Sequence, residues 1–472
     1  MEMSAINRLF RKKSIEQLLS ETQGKASLKK TLGALDLTML GIGAIIGTGI
    51  FVITGVAAAN YAGPALVLSF IISSIACAFA ALVYAEFSSS IPVAGSAYTY
   101  SYVSLGEFMA WIIGWDLMLE YLLAASTVAI GWSGYFQMLL NGFGVYLPHW
   151  ASGSLNSVPG AIFNLPAVVI ALLITLLLSL GVKGATRFNN IIVFVKLAVV
   201  LLFIILASRY VKPANWTPFL PFGFKGVMSG AAIVFFAYIG FDAVSTAAEE
   251  VKDPKRDMPI GIIASLVVCT ILYIIVSLIL TGVVPYKLLD VAAPVAFALH
   301  YIHQDWAAGI ISVGAMGGIT TVLLVMLYGQ IRVFFAMSRD GLLPKIFSNV
   351  HPKYKTPFLS TWLTGITVAI IAGITPINTV AKLVNIGTLS AFVFVSIGVI
   401  VLRKTQPNLH RSFRVPWVPF IPILATFFCL ILMAQLPLIT WIRFVVWLAI
   451  GLIIYFGYGI RHSVLGKSLK KP

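Results

Sequence analysis

Four ionisable residues stand inside long apolar runs of this sequence, where a side chain could hold a proton or an ion. They are Lys196, Asp116, Glu120 and Asp242. A charge at the centre of a bilayer costs about 2.5–3.5 kcal/mol on insertion scales, so such residues mark a functional path or a polar cavity. We predict that Lys196, Glu120 and Asp242 take part in proton coupling, with Lys196 reaching toward the glycines of the first apolar run.

Each of these residues also has a structural interpretation. Lys196 could extend its ammonium to the membrane surface. Asp116 and Glu120 lie four positions apart, hence on one helix face, and could be hydrogen-bonded acids facing a polar cavity. Asp242 could pair with Lys196, with Glu120 or with free backbone groups. Four other glutamates lie near predicted helix ends, where we expect solvation: Glu86, Glu107, Glu249 and Glu250.

The first apolar run is unusually rich in glycine. Gly41, Gly43, Gly47 and Gly49 fall within nine residues, and each weakens a helix by about 1 kcal/mol relative to alanine. Gly43 and Gly47 fit a small-residue packing face between helices. Such packing does not explain the Gly47-Thr48-Gly49 triplet, and an interrupted helix, whose second half would turn its free N–H groups toward an anion, is the equally open alternative.

A second interruption is predicted in the sixth run, where Gly240 and Asp242 follow Ala237. At about 1.5 Å per residue, Gly47 and Ala237 each lie about 15 Å from a helix end. Both interruptions therefore fall near the middle of a hydrocarbon core of about 30 Å. Two interrupted helices that begin successive five-helix sets of opposite orientation are typical of inverted-repeat transporters.

The composition indicates a membrane protein. The chain has 472 residues, of which 59% are hydrophobic and 10% charged, and its mean hydropathy is +0.97. An average soluble domain is about 45–50% apolar and about 25% charged. A soluble fold could not bury so much apolar surface, so a soluble enzyme is excluded. We expect no cofactor, no metal and no nucleic-acid partner.

Twelve apolar runs of about 20 residues predict an all-α polytopic protein. They are 37–59, 64–86, 103–138, 164–182, 189–209, 227–250, 259–283, 307–337, 357–376, 381–402, 416–437 and 439–460. We divide the chain into an N-terminal segment (1–36), a first five-helix repeat (37–210), a second inverted repeat (227–403), two peripheral helices (404–460) and a tail (461–472).

The distribution of basic residues predicts the orientation. Of 32 Lys and Arg residues, 25 fall in segments that lie on one side of the membrane together with both termini, 6 fall on the other side, and Lys196 lies within a run. Cytoplasmic segments carry the excess of Lys and Arg. Both termini are therefore predicted to be cytoplasmic, and the net charge of +16 needs no nucleic acid to explain it.

Several segments resemble the amino acid–polyamine–organocation superfamily, and within it the cationic amino acid transporter family in a shorter, bacterial form. The resemblance covers about residues 30–415. The matching segments are 41–51 (GIGAIIGTGIF), 84–87 (YAEF), 91–98 (IPVAGSAY), 237–250 (AYIGFDAVSTAAEE) and 337–344 (MSRDGLLP). The resemblance implies a LeuT-type core of five plus five helices, with two peripheral helices and twelve transmembrane helices in all.

The substrate site is predicted at the two interruptions. The first would supply N–H groups to a carboxylate from the region of Ile45, Gly47, Thr48 and Gly49, with the Thr48 hydroxyl added. By the resemblance, the carbonyls of Phe236, Ala237 and Ile239 would bind an ammonium. Phe241 is a candidate gate, and Thr127 and Met326 are candidates for side-chain selectivity. In some members of the superfamily a helix-five lysine stands where sodium-coupled relatives hold an ion, and Lys196 matches it.

We therefore expect a secondary active transporter in the cell membrane that imports L-amino acids with protons by alternating access. The sequence leaves open whether the substrates are cationic amino acids, small neutral amino acids or both. An amino acid exchanger of the same fold is the alternative, and a channel or nutrient receptor is a remote one. The expected partners are the substrate, protons and membrane lipid. We expect a monomer, with an accessory small membrane protein left open.

Overall fold

The computed structural model describes residues 9–14, 30–91, 93, 96–155, 157, 159–181 and 185–468, without the side chains of 185–189 and 468. Pro92, Ala94 and Gly95 of the 91–98 motif lie outside the described residues, as do most of the N-terminal segment and the last four residues of the tail. The described part is helical, and its only β-type pairing consists of two isolated bridges.

The apolar helices in the described residues are numbered α1 to α12. They are α1 (Ala34–Ile45, with a second half over 49–65), α2 (Leu66–Ser90), α3 (Glu107–Gly142), α4 (Leu165–Leu180), α5 (Ala185–Ala207), α6 (Gly223–Val234, continued over 235–250), α7 (Pro254–Val283), α8 (Asp305–Arg339), α9 (Phe358–Ile374), α10 (Ile377–Thr405), α11 (Phe420–Ala434) and α12 (Leu438–Ile454). Each coincides with one of the twelve predicted apolar runs.

The helices have the length and polarity of membrane spans. Eight helical stretches in the described residues are long and apolar enough to cross a membrane, and one of these, of 57 residues, contains both α1 and α2. Three more, α4, α9 and α11, are apolar but only 16, 17 and 15 residues long. The protein is thus an all-α polytopic membrane protein, and the count of twelve spans stays a prediction.

Two groups of helices enclose the interruptions. In one group α7 packs on α1 and α2, and in the other α3 packs on α8 while α4 packs on α9. Helix α5 contacts α1, α7 and α8, and α10 contacts α3, α2 and α11. A Cβ on Gly261 of α7 would lie 2.5 Å from the Leu37 Cβ of α1, so glycine permits this close helix contact. The interrupted helices are therefore held between larger packed layers.

Two glutamates at helix ends are buried and paired, which corrects the expectation that they are solvated. Glu86 is 3% exposed and accepts hydrogen bonds from Arg403 Nε at 2.9 Å and from the Val415 N–H at 2.7 Å. Glu107 is fully buried against Arg11. Arg403 and Arg11 are distant in the chain from the glutamates they pair with, so the local sequence around each glutamate could not predict the pairing. Glu249 and Glu250 are half-buried.

Candidate functional site

Helix α1 is interrupted where its glycines cluster. Its first half ends at Ile45, and Ile46 has extended backbone angles (φ −74°, ψ 102°). The second half begins as a π-helical turn over Gly49–Ile53, and the Phe51 N–H donates to the Gly47 carbonyl at 3.2 Å. The N–H groups that precede this first bond have no carbonyl one turn earlier. They are the donors that the sequence predicts for a carboxylate.

Helix α6 is interrupted at Gly240. A 3-10 turn over Phe235–Tyr238 ends at Ile239, which is extended, and a longer 3-10 segment runs over Asp242–Glu250. Gly240 has φ +119°, a left-handed conformation that favours glycine. The interruption leaves carbonyls in this stretch without the α-helical partner four residues later, so they can accept hydrogen bonds from other groups.

The two interruptions lie directly against each other. A Cβ on Gly49 would collide with the Ala237 backbone, and a Cβ on Gly240 would lie 2.9 Å from the Ala44 carbonyl. At each interruption, a glycine therefore packs directly against the backbone of the other helix. The N–H groups at the start of the second half of α1 and the α6 carbonyls that lack an α-helical partner are thereby brought together in the protein interior.

Tyr273 of α7 links the two interruptions, although it was not among the residues predicted from the sequence. Its hydroxyl lies 3.0 Å from the Ile45 carbonyl of α1 and 3.0 Å from the Ala237 carbonyl of α6. Its ring is fully buried and packs on Phe70 and Tyr238. A tyrosine in an apolar run is typical of core packing, so its position in the chain carried no signal.

A small pocket of about 260 Å³ opens at this junction. Its walls come from α1, α3, α6 and α8. The lining residues are Ala44, Ile45, Gly47, Thr48, Gly49, Ala124, Val128, Phe236, Ile239, Val322 and Met326. Seven predicted site residues are in this set: Ile45, Gly47, Thr48, Gly49, Phe236, Ile239 and Met326.

The Thr48 hydroxyl is an unsatisfied polar group in this pocket. Thr48 is 1% exposed, and its Oγ1 has no hydrogen-bond partner among the described residues. Gly131 of α3 makes room for it, since a Cβ there would lie 2.8 Å from the Thr48 Oγ1. A buried hydroxyl without a partner is costly, so this atom is available to a ligand.

Three other predicted substrate residues lie near the pocket without lining it. Ala237 contacts Gly49, as described above. The Phe241 ring packs edge-on against Tyr84 at 5.9 Å between centroids and lies 5.1 Å from the Phe392 ring. Thr127 is buried and donates to the carbonyl of Leu123 on its own helix at 2.9 Å.

Lys196 reaches α1, as the sequence predicts. Its side chain is fully buried, and its Nζ donates to the Gly43 carbonyl at 2.5 Å. Gly318 of α8 admits the side chain, because a Cβ there would lie 2.8 Å from the Lys196 Cγ. The lysine thus lies between α1 and α8 and does not extend to the membrane surface.

The buried acids form a separate group. Glu120 is 1% exposed, and the carboxyl groups of Asp242 and Asp116 are its ionisable neighbours, close enough to interact with it electrostatically. The Asp242 Oδ1 accepts the Gly240 N–H at 3.3 Å, so Asp242 bonds to the backbone of its own interruption, and no ion pair joins it to Lys196 among the described residues. Both carboxylate oxygens of Asp116 lack a hydrogen-bond partner in the described part of the chain. A Cβ on Gly387 would lie 3.0 Å from Asp116 Oδ1.

Glu120 is aligned with the pocket along α3. Ala124 and Val128, which line the pocket, lie four and eight positions after Glu120, and Asp116 lies four before it. These positions share one helix face. Glu120 and Asp116 therefore lie about one and two helical turns before the pocket residue Ala124, on the same face of α3.

Together the two interrupted helices and the pocket between them define a polytopic membrane transporter. The chain belongs to the family described as amino acid permease, whose sequence pattern matches residues 32–457. The permease family and its transporter-named relatives establish a transporter and not an enzyme. They also confirm the resemblance to the amino acid–polyamine–organocation superfamily.

Three relatives illustrate the range of the family. The chain is 60% identical to the methylthioribose transporter of Bacillus subtilis and 59% identical to the branched-chain amino acid permease BcaP of the same organism. Each alignment covers 97% of this chain and 99% of the relative. It is 36% identical to the vacuolar cationic amino acid transporter 4 of Arabidopsis thaliana, over 85% of this chain and 68% of the relative.

Proposed function

We propose that the chain imports small and branched neutral L-amino acids together with protons. The observation that carries the proposal is the pocket at which the two interrupted helices meet. An amino acid has one carboxylate and one ammonium, and the two interruptions offer backbone groups of both complementary kinds. In this class of fold, discontinuous helices bind charged groups with the ends of their half-helices.

The carboxylate is bound by α1 in this proposal. The N–H groups at Gly47, Thr48 and Gly49 stand at the beginning of a half-helix, where the helix dipole favours an anion. The unpartnered Thr48 hydroxyl adds one donor. The ammonium is bound by the carbonyls of the α6 interruption, at Phe236, Ala237 and Ile239.

The side-chain part of the pocket supports a neutral aliphatic substrate. Beyond the interruptions, the walls are Ala124 and Val128 of α3 and Val322 and Met326 of α8. No acidic side chain is among the pocket residues of the described chain, so a cationic side chain would be buried there without a partner, which is costly. The name of the relative BcaP agrees with this chemistry.

Proton coupling is assigned to Lys196, Glu120 and Asp242. Lys196 joins α5 to the first half of α1 and lies against α8, so gain or loss of its proton changes a contact between helices that carry the pocket. Within the described residues, no ion pair joins the buried carboxyls of Glu120 and Asp242 to a cation. Burying a carboxylate without a cation is costly, so such groups are suited to bind protons.

The remaining assignments follow the sequence. The excess of Lys and Arg in the segments joined to the termini supports cytoplasmic termini in the cell membrane. Residues 37–210 and 227–403 are proposed as the two inverted repeats, with 404–460 peripheral. Phe241, packed on Phe392, is the proposed gate, and Thr127 and Met326 are the proposed selectivity positions. The protein acts as a monomer in this proposal.

Methylthioribose is the second candidate substrate, because the relative with that name is 60% identical. A thermal-stability screen of the purified protein against the twenty amino acids and methylthioribose separates the candidates, since a ligand that binds the native state raises its stability. Stabilisation by alanine, valine, leucine or isoleucine supports the proposal. Stabilisation by methylthioribose alone overturns it, and stabilisation by lysine or arginine alone overturns the neutral specificity.

Uptake into proteoliposomes tests the proton coupling. Vesicles without internal substrate should accumulate the neutral amino acid when the outside is acidic and lose this accumulation when a protonophore is added. An obligate exchanger would take up substrate only into vesicles preloaded with amino acid. A channel would equilibrate the substrate without saturation, which would contradict alternating access.

A further inference from the structure

Asn385 of α10 lies against the end of the first half of α6. Its side chain is fully buried, and its Nδ2 donates hydrogen bonds to the Ala232 carbonyl at 2.7 Å and to the Ile233 carbonyl at 3.1 Å. An amide nitrogen has two hydrogens, so both are used on the same turn of α6. The asparagine is 153 and 152 positions from its two partners, so only the fold brings them together.

The two carbonyls are ones that an ending helix leaves without partners. The α-helical part of α6 ends at Val234, and the last four carbonyls of an α-helix have no partner within the helix. Beyond Val234 the chain tightens into the 3-10 turn over Phe235–Tyr238, and Ile239 is extended. Asn385 therefore supplies donors at the point where the α-helix of α6 changes into its interruption.

The amide of Asn385 is retained at a cost. Its Oδ1 has no hydrogen-bond partner among the described residues, although the side chain is fully buried. A buried acceptor without a donor costs about 1–3 kcal/mol. A leucine has a similar shape and would avoid this cost, so the contribution of the amide lies in the two bonds that its nitrogen donates.

A second residue of α10 contacts α6 on both sides of the interruption. Phe392 follows Asn385 by seven positions, which is about two helical turns along the same face. Its ring centroid lies 5.9 Å from that of Phe235, before the interruption, and 5.1 Å from that of Phe241, after it. Helix α10 therefore provides a support along which the bend of α6 is held, and Asn385 provides its hydrogen bonds.

We propose that Asn385 is a positioning residue that fixes where the α-helix of α6 ends and so presents the interruption to the substrate. It acts through the α6 backbone and does not line the pocket, whereas Phe236 and Ile239 do. Without these donors, the carbonyls of Ala232 and Ile233 would gain partners by one further turn of α-helix, which would take up the N–H groups four residues later. That turn would move the interruption along α6 and away from the pocket.

The effect on the substrate follows from the population of the two forms of α6. If only a fraction of the protein holds the interruption at the pocket, the apparent affinity falls by that fraction. The proposal rests on the proposed function, because the carbonyls of the interruption are the groups that bind the substrate ammonium.

The test compares Asn385→Leu with Asn164→Leu in the purified full-length protein. Asn164 is also a buried asparagine at a helix end, where its Oδ1 accepts the Ser133 hydroxyl at 2.6 Å and the Ala167 N–H at 3.3 Å at the beginning of α4. With L-valine as the probe, we expect Asn385→Leu to weaken binding by about five- to tenfold. Asn164→Leu should lower the melting temperature and keep the affinity within about twofold of wild type, because α4 does not line the pocket.

Transport kinetics separate positioning from general destabilisation. In proteoliposomes, Asn385→Leu should raise the KM for L-valine and leave the maximal rate near that of wild type, the pattern of a lost binding interaction. Asn385→Asp is the conservative variant, since a buried carboxyl without a cation stays protonated and keeps one O–H donor. Its KM should lie between those of wild type and Asn385→Leu.

The aspartate variant keeps the test decisive if the leucine variant fails to fold. In that case a KM about two- to threefold above wild type at an unchanged maximal rate supports the proposal, and an unchanged KM overturns it. If both variants fold, a KM for Asn385→Asp as high as that of Asn385→Leu overturns the role of the donated bonds.

The remaining outcomes distinguish the two levels of inference. Equal affinity of wild type and Asn385→Leu for L-valine, or equal losses in the two leucine variants, overturns the role of Asn385 and leaves the proposed function intact. Failure of the wild type to bind any of the twenty amino acids overturns the proposed function itself.

Discussion

The Lys196 ammonium donates a hydrogen bond to the Gly43 carbonyl across 153 positions of the chain, at 2.5 Å. Gly43 lies in the first half of α1, two residues before the helix is interrupted. A lysine that bonds to this half-helix therefore attaches α5 to the part of α1 that ends at the pocket residues Ala44 and Ile45. We propose that gain or loss of the Lys196 proton changes the position of that half-helix.

Lys196→Met should abolish uptake driven by a proton gradient and retain binding of the neutral amino acid. Methionine keeps most of the length and apolar stem of lysine but cannot gain or lose a proton. The measurement is uptake of L-valine into proteoliposomes with and without an inward proton gradient, next to binding by thermal shift. Lys225→Met, in an exposed position, is the control, and full gradient dependence in Lys196→Met would contradict the assigned role.

Gly49→Ala should abolish transport, because a Cβ at this position would collide with the Ala237 backbone of α6. The two interruptions would be forced apart, and overpacking of this kind costs about 1–3 kcal/mol. Gly317→Ala in α8 is a matched control, since a Cβ there meets no atom within 4 Å. It should preserve uptake and leave stability unchanged or raise it by up to about 1 kcal/mol.

The positions of the helices were predictable because apolar runs and glycine clusters are local features of a sequence. The twelve apolar runs and the two interruptions around Gly47 and Gly240 coincide with helices and breaks in the structure. The bounds differ most at α1, whose second half continues to Ala65 through π and 3-10 turns that carry no apolar signal of their own.

The contacts between distant side chains were not predictable in the same way. Tyr273 is one of many aromatic residues in apolar runs, and its role follows only from its distances to Ile45 and Ala237. The pairing of Glu107 with Arg11 joins residues 96 positions apart. Such partners are chosen by tertiary packing, which leaves no trace in the spacing of either residue.

Met326→Ala should enlarge the pocket and shift selectivity toward larger aliphatic amino acids. Met326 is 2% exposed and lines the pocket opposite the interruptions. Deleting its side chain should cost about 2–5 kcal/mol of stability, the range for buried methionine to alanine changes. The ratio of KM values for L-leucine and L-alanine measures the shift in selectivity.

Met433→Ala is the control for this change, because Met433 is as deeply buried in α11 and lies outside the pocket. It should lose comparable stability and keep the wild-type ratio of KM values. An unchanged ratio in Met326→Ala, or the same change in both variants, would argue against a selectivity role for Met326.

Glu107→Gln should strongly destabilise the protein. The Glu107 carboxylate accepts hydrogen bonds from Arg11 Nε at 2.8 Å and from the Tyr102 hydroxyl at 2.7 Å, and it also contacts Tyr455 and Ser463 near the end of the chain. Breaking a buried ion pair costs about 3–5 kcal/mol, because the remaining Arg11 charge is left buried without its partner. The melting temperature in detergent measures the loss.

The size and the pH dependence of the decrease in melting temperature in Glu107→Gln show whether the broken pair with Arg11 causes it. Asp305→Asn, which removes an acid from an exposed pair with His300, should leave the melting temperature unchanged, because exposed pairs contribute little. Burial alone would lower the pKa of Arg11, but the hydrogen bonds and charge of Glu107 outweigh it and raise the pKa above its ordinary value. A raised pKa means that the contribution of Arg11 is complete below the pKa of the unfolded chain and is lost only as the pH rises through the folded value. The difference in melting temperature between wild type and Glu107→Gln should therefore stay constant as the pH is raised from neutral to moderately alkaline. A difference that shrinks over this range would show that a group other than Arg11 dominates the loss of stability.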